Sequence, residues 1–144
     1  MCNNGFVLQL MERYGKAEKH KVAFSLYDGS KVTDITYHRF LEDIQKSTGY
    51  FIRRNIKGQH IAIASENSYD WLVVFFGITG SGNVAVLLNQ DLPEEVVQQQ
   101  CNQADVSILC SKLSNADKFG RLGGIAFLDF ENIMASAPVP LDLI

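Results

Sequence analysis

The stretch that decides the fold covers residues 61–93 and reads IAIASENSYDWLVVFFGITGSGNVAVLLNQDLP. It begins with a β pattern at residues 61–64, continues through an apolar segment at residues 71–78, and ends with a second β pattern at residues 84–88. Two strands joined through a helix by short loops are typical of a βαβ unit with parallel strands. The stretch therefore predicts an α/β fold.

The rest of the chain continues this alternation of strands and helices, by period-two runs and by apolar steps of three and four. The predicted elements are strands 22–26 and 32–35 joined by a turn at Asp28-Gly29, helix 37–54, strand 60–65, helix 71–78, strand 84–88, a helix from Pro93, strand 106–110, a short helix around 117–119, strand 125–128, a short helix over 130–134, and a tail held extended by Pro138 and Pro140. Thr36, and Asn67 or Ser68, are suitable helix N-caps. Gly49 weakens its helix, because an interior glycine costs about 1 kcal/mol relative to alanine.

These elements predict one α/β domain over residues 1–144, with a mainly parallel, doubly wound sheet and an antiparallel hairpin at its amino-terminal edge. Strands 60–65, 84–88 and 106–110 should be neighbours in the parallel sheet, because short connections favour right-handed crossovers. The helix over residues 71–78 is apolar nearly all round, so we expect it to be buried against the sheet and covered on a second side. The strand order does not follow from the sequence.

Composition narrows the function classes. The chain has 144 residues, 47% of them hydrophobic and 20% charged, and its net charge is −3. No basic excess is available to bind nucleic acid or an anionic membrane, and we interpret Arg53-Arg54 with Lys57 as a solvated helix end. The apolar segment at residues 71–78 is too short to cross a membrane, which takes about 20 residues. Residues 1–5 lack a signal-peptide pattern, so the cytoplasm is the expected compartment.

Cysteines and histidines show no metal-site or catalytic pattern. The cysteines have no C-x-x-C spacing and no neighbouring histidines, and the histidines lie far apart in different predicted elements. These residues are Cys2, Cys101, Cys110, His20, His38 and His60. We expect no catalytic and no metal-binding residue, and we assign Cys101 and Cys110 to the core, where a free cysteine behaves as a small apolar residue.

Other motifs resemble functional sites in composition only. Gly77-x-x-Gly80-x-Gly82 ends a helix and precedes a strand, whereas a dinucleotide fingerprint follows a strand and opens a helix. Residues 120–124 lack a following Lys-Ser or Lys-Thr and predict a turn. Ser81 lacks the context of a nucleophile elbow, and Glu94-Glu95 suit the first turn of a helix. We therefore expect no cofactor-binding residue here either.

Four motifs occur in a fixed order between about residues 23 and 111. They are Ile35-Thr36-Tyr37-x-x-Phe40, Gly58-x-His60-Ile61-Ala62-Ile63, Asn67-Ser68-x-x-Trp71, and residues 78–89 with their ending Val86-Leu87-Leu88-Asn89. Together they resemble the amino-terminal part of the adenylate-forming enzymes, the superfamily of AMP-forming acyl-CoA synthetases, firefly luciferase and peptide-synthetase adenylation domains. Arg39 replaces an acidic residue of the family pattern, and Gly80 and Leu87 replace an alanine and a proline.

The resemblance is strongest to bacterial long-chain fatty acid CoA ligases, through the Asn67 helix start and Asp91-Leu92-Pro93-Glu94-Glu95. It implies a full enzyme that uses ATP, Mg²⁺ and CoA to convert a fatty or other carboxylic acid into its acyl-CoA. The family's Ser/Thr/Gly-rich phosphate loop with its lysine, its ribose-binding aspartate and its catalytic lysine all lie downstream of the matched region. The resemblance therefore implies a structural segment that is inactive alone, whose partner is the remainder of its own polypeptide, and whose uncovered apolar surface favours self-association.

Two alternatives stay open. One is part of a peptide-synthetase-type adenylation domain that activates an amino or aryl acid. The other is a stand-alone α/β interaction or regulatory module. Continuation of the gene past Ile144 into a Thr/Ser-Gly-rich loop followed by lysine would distinguish these readings.

Overall fold

Strands and helices alternate along the chain as the sequence predicts. The computed structural model describes Gly5, Gln9, Arg13, Tyr14 and residues 18–144. Its elements are β1 Val22–Tyr27, β2 Val32–Thr36, α1 Tyr37–Arg53, β3 His60–Ala64, α2 Tyr69–Gly80, β4 Val84–Leu88, α3 Glu94–Gln103, β5 Val106–Ser111, α4 Ala116–Phe119, β6 Ala126–Asp129 and α5 Phe130–Met134, with 3₁₀ turns at Leu113–Asn115 and Leu141–Leu143. The predicted elements are confirmed, and their bounds differ by about two residues at most.

The central sheet has the strand order β4-β3-β5-β6 and is parallel throughout. Ile61 of β3 pairs with Ala85 of β4 on one side and with Ile108 of β5 on the other. The predicted neighbourhood of these three strands is therefore confirmed. The antiparallel hairpin β1–β2 is also confirmed, and it forms its own two-stranded sheet instead of continuing the parallel one.

Each face of the parallel sheet has its own core, because successive side chains of a strand point to opposite faces. Ile61 and Ile63 pack with Val74 and Ile78 of α2 and with Phe130 of α5. On the other face Ala62, Ala64 and Leu109 pack with Val97 and Cys101 of α3 and Phe119 of α4. Helices on both faces make this a doubly wound sheet.

Helices α1 and α2 approach closely through small residues. A Cβ atom built on Gly77 would collide with the side chain of Ser47, and one built on Gly80 would lie 3.2 Å from the side-chain oxygen of Thr48. Ser68 begins α2, where its hydroxyl accepts a hydrogen bond of 3.1 Å from the Trp71 amide. The all-round apolar character of α2 is thus explained, since the helix lies between α1 and the sheet.

The hairpin packs on this helix pair through aromatic side chains. Phe24 of β1 meets Phe40 of α1 edge to face, with ring centroids 5.0 Å apart. Tyr69 and Phe76 of α2 join the same cluster around the buried Ile35. The hairpin therefore covers one end of the α1–α2 pair.

The tail differs in part from the prediction. Residues 137–140 have no regular secondary structure, and Leu141–Leu143 form a 3₁₀ turn that the sequence did not predict. This part of the tail lies along α1, where the amide of Val139 donates a hydrogen bond of 3.2 Å to the carbonyl of Gln45. The conformational preference of proline is local, so it does not predict this contact between the tail and α1.

Candidate functional site

The topology creates a crevice at the carboxyl ends of β3 and β5. These strands are neighbours, but the chain leaves β3 through α2 on one face and leaves β5 through α4 on the other. In open α/β sheets, ligands bind where adjacent connections leave in opposite directions. The crevice is therefore the position at which this fold offers a site.

A cleft of about 610 Å³ opens at this crevice. Hairpin residues form one wall, and the beginning of α2 with Lys112, the residue after β5, forms the opposite wall. The lining residues are Ser25, Leu26, Tyr27, Asp28, Thr33, Ile35, Arg39, Ser68, Tyr69, Asp70 and Lys112. The hairpin thus completes a space that the sheet edge alone would leave open.

Tyr69 is fixed at the base of this cleft by a carboxylate of α1. Its hydroxyl donates a hydrogen bond of 2.6 Å to Asp43 Oδ2, and Nε of Arg39 lies 3.7 Å from the same oxygen. Burial and this hydrogen bond raise the pKa of Tyr69 far above its ordinary value. The phenol therefore stays protonated at neutral pH and serves as a hydrogen-bond donor, not as a base or a nucleophile.

Acidic groups dominate the beginning of α2. Desolvation raises the pKa of Asp70, the carboxylates of Asp43 and Glu131 raise it further, and Arg39 opposes them. On the other side of the crevice, the ammonium group of Lys112 pairs with Glu66. Mixed charge of this kind does not form a cationic cradle for phosphate groups.

Hydrogen bonds close the neighbouring part of the carboxyl edge, towards β4. The Asn115 side chain donates to Gln90 Oε1 at 3.1 Å and to Ser111 Oγ at 2.8 Å, and Ser111 donates in turn to the Ala64 carbonyl. Lys118 donates to the Gln90 carbonyl. This network joins the loop after β4 to the ends of β3 and β5, so the opening of the edge lies on the hairpin side.

The cysteines and histidines hold structural positions. Cys101 and Cys110 are free and buried, and burial raises the pKa of both thiols, which makes them poor nucleophiles. Nδ1 of His60 donates a hydrogen bond of 2.7 Å to the Ala104 carbonyl, and Nε2 of His38 lies 3.7 Å from Glu42 Oε2. Over the part of the chain that the structure describes, no group of three or more His, Cys, Asp or Glu is placed to hold a metal ion. Cys2 lies outside the described residues.

The glycine-rich motifs serve packing and turns, which confirms their interpretation. Gly77 and Gly80 lie inside α2 against α1, and Gly82 has a φ of 85°, which suits the turn into β4. Gly124 has a φ of 71° in the turn before β6. The Ser81 hydroxyl donates to the carbonyls of Gly77 and Ile78 as part of the end of α2.

The two glycine-rich segments do not fit an ATP phosphate group. A phosphate needs convergent backbone amides that are free to donate. Space beside Gly77 and Gly80 is filled by α1 side chains, and the amide of Gly123 donates to Gln98 Oε1 at 2.7 Å. These observations assign no step of a nucleotide reaction to the described residues.

Sequence reasoning did not single out the cleft residues. Tyr69 and Asp43 lie on different helices, and their pairing depends on how α1 and α2 cross. A charged residue directly after a strand was the available signal, since Lys112 follows β5 and lines the cleft. None of the described helices is long and apolar enough to cross a bilayer.

Comparison with known proteins gives a consistent result. The profile of the family described as AMP-binding enzyme matches residues 11–132. Among proteins with curated functions, none matches this sequence significantly.

Solved structures share the fold at low sequence identity. The O-succinylbenzoate coenzyme A synthetase MenE from Bacillus subtilis, in complex with AMP, is 16% identical with a TM-score of 0.75, over 94% of this chain and 34% of that chain. The NpsA N-terminal subdomain from Klebsiella oxytoca, in complex with anthranilyl-AMSN, is 18% identical with a TM-score of 0.77. This match covers 96% of the present chain and 34% of the NpsA chain. An acyl-CoA synthetase from Brucella canis is 14% identical with a TM-score of 0.75, over 92% and 28%.

The chain spans about a third or less of the length of these solved chains. The α/β fold with its parallel sheet and antiparallel hairpin is the one found in that part of them. The family profile covers most of the sequence, from residue 11, before the hairpin, to residue 132 in α5. The chain belongs to the AMP-binding enzyme family.

Proposed function

We propose that residues 1–144 form the amino-terminal structural portion of an ATP-dependent, AMP-forming acyl-CoA ligase. In that reaction a carboxylate and ATP give an acyl-adenylate and pyrophosphate, and the CoA thiol then displaces AMP. The family match over residues 11–132 carries this proposal. Fold similarity to synthetases, over 34% and 28% of their chains, supports it.

In this proposal the chain is a single α/β segment and contributes no catalytic, cofactor-binding or metal-binding residue. Its partner is the remainder of its own polypeptide, which supplies the sites for ATP, Mg²⁺, CoA and a fatty or other carboxylic acid. It binds no nucleic acid, and the full enzyme works in the cytoplasm. The filled space beside Gly77 and Gly80 and the engaged amide of Gly123 support this division of labour.

Carboxylate-dependent exchange of pyrophosphate into ATP tests the proposal. Residues 1–144 alone are compared with a chain extended by the downstream coding sequence, across acids from acetate to palmitate. We expect exchange and CoA thioester formation only with the extended chain, and only with some of the acids. Exchange by residues 1–144 alone, or no exchange with any acid by a folded extended chain, would contradict the proposal.

A peptide-synthetase-type adenylation domain is the second candidate, because the fold matches the NpsA subdomain that was solved with anthranilyl-AMSN. Both candidates form an acyl-adenylate, so the exchange assay does not distinguish them. The thiol that accepts the acyl group from the adenylate distinguishes them. Transfer to free CoA supports the ligase, whereas transfer to a phosphopantetheinyl carrier protein supports the adenylation domain.

A further inference from the structure

The tail crosses α1 in a shallow groove. There, residues of α1 contact mainly backbone groups of the tail. We refer to residues 136–144 as the strap. Both backbone polar groups of Val139 are hydrogen-bonded to Gln45. The amide of Val139 donates a hydrogen bond of 3.2 Å to the Gln45 carbonyl, and the carbonyl of Val139 accepts one of 2.9 Å from Gln45 Nε2. Gln45 thus holds Val139 through its own main-chain carbonyl and through its side-chain amide.

Arg53 holds the segment just before Val139. Its guanidinium donates to the Ala137 carbonyl, to the Pro138 carbonyl at 2.9 Å and to Ser136 Oγ at 3.2 Å. Two consecutive backbone carbonyls are thereby bound by one planar fork, a geometry that arginine provides and lysine does not. The sequence interpretation of Arg53 as a solvated helix end is right about its exposure and misses this role.

Gly49 explains why the groove exists. A Cβ atom at this position would lie 2.6 Å from the Ala137 carbonyl oxygen and 3.1 Å from a methyl group of Val139. The strap backbone therefore occupies the space that a side chain would fill. The glycine that weakens α1 by intrinsic propensity is the residue that admits the strap.

Apolar anchors complete the docking. Val139 is 5% exposed, and Ile144 packs against the cluster between the hairpin and the helix pair. A methyl group of Ile144 lies 3.2 Å from the position of a Cβ on Gly80. Glycines of both helices thus receive the strap, which crosses the pair from Gly49 to Gly80.

We propose that the strap docks on the α1 groove as a separable unit, which opens and closes while the sheet and both of its cores stay folded. Two features set its opening apart from global unfolding. Its hydrogen bonds to Arg53 are exposed, and among its described side chains Val139 and Ile144 are the apolar anchors. The groove contacts the main chain of the strap through the amide and carbonyl of Val139 and the carbonyls of Ala137 and Pro138.

Amide hydrogen exchange on the whole chain tests this proposal through Arg53→Ala. We expect the Val139 amide to exchange at least about tenfold faster, because hydrogen bonds from a charged donor are lost. Exchange at Ile61 and Ile63 in β3 should not change. Arg54→Ala is the matched control, since Arg54 lies over the Tyr50 ring and donates to the Tyr50 carbonyl. Equal acceleration of strap and β3, or no acceleration of the strap, would overturn the proposal.

Gly49→Ala provides a test of opposite sign on the two parts of the molecule. Alanine strengthens a helix interior, so α1 amides should exchange more slowly or remain unchanged. The added methyl group displaces the Ala137 carbonyl, so the Val139 amide should exchange on the order of tenfold faster or more. Continued protection of Val139 in this variant would show that the groove does not need the glycine and would overturn the proposal.

Discussion

The hydroxyl of Tyr69 lies 2.6 Å from Asp43 Oδ2, and this hydrogen bond joins the beginning of α2 to the middle of α1 beneath the hairpin. The Asp43 side chain is 10% exposed, so water cannot fully replace a lost donor. One phenol thus links the two helices and also lines the cleft.

Tyr69→Phe removes this donor and leaves the ring in place. We expect the free energy of unfolding to fall by about 1–3 kcal/mol, because a largely buried carboxylate loses its closest partner. Tyr27→Phe is the control, since Tyr27 is 73% exposed and donates to the Gly29 carbonyl at 3.2 Å. Urea unfolding measures both variants, and equal losses would contradict a special role for Tyr69.

Gly77→Ala tests the close approach of α1 and α2. Alanine improves helix propensity by about 1 kcal/mol, but its methyl group would overlap Ser47, so we expect a net loss of about 1–3 kcal/mol. Adding Ser47→Gly should recover part of the loss in a double-mutant cycle. Gly123→Ala serves as the control, because its Cβ would meet only Gln98 Oε1, at 3.8 Å. Additive effects of the Gly77 and Ser47 substitutions would refute the overlap.

Asp70→Asn should change stability in a pH-dependent way. The pKa of Asp70 is raised from 3.8 in the folded state, so folding favours the neutral carboxyl group, and the folded chain loses stability as the pH rises through the raised pKa. The variant avoids that loss. We expect it to be more stable than the parent chain at pH 7 and the difference to vanish below about pH 4. Thermal melts over this pH range measure it.

Asp28→Asn is the control with the opposite sign. Hydrogen bonds from Lys31 and Ser30 lower the pKa of Asp28, so its carboxylate contributes stability above its ordinary pKa of 3.8 that is lost as the pH falls. Asp28→Asn should therefore be less stable than the parent chain at pH 7. A gain at pH 7 from Asp28→Asn, or none from Asp70→Asn, would contradict these assignments.

ATP should not stabilise residues 1–144. A ligand at about one hundred times its Kd adds about 2.7 kcal/mol to the stability of the state that binds it, which is a shift of several degrees in Tm for a domain of this size. With millimolar ATP and Mg²⁺ we expect no shift in a thermal melt. A reproducible shift that AMP also produces would reveal a nucleotide site in these residues.

Self-association should depend on the edge of the sheet. β4 is an edge strand, and its Val84 and Leu87 side chains are 52% and 56% exposed. Light scattering at increasing concentration should show association that Leu87→Lys reduces. Leu113→Lys, at a residue that is 53% exposed and outside any strand, should have less effect. A monomer at all concentrations would contradict the prediction.

Periodicity predicts the elements of this fold because each side chain pattern is local. The apolar character of residues 71–78 indicates a helix covered on two sides, and that is the environment of α2. The Tyr69–Asp43 bond and the fit of the strap to Gly49 are different, because each joins residues far apart in sequence and depends on the packing of whole helices. The cleft also depends on the hairpin forming its own sheet, which no local pattern specifies.

The central position of β3 has a consequence for the order of folding. His60 pairs with Val84 of β4 on one side and with Val106 of β5 on the other. Both neighbouring strands are synthesised after β3, so β3 cannot pair until they have emerged. At a synthesis rate of about 5–20 residues per second, the hairpin β1–β2 can close while β3 still lacks both neighbours. The core on one face of β3 also contains Phe130 and Ile133 of α5, so the sheet and this core can be completed only after β6 and α5 have been synthesised.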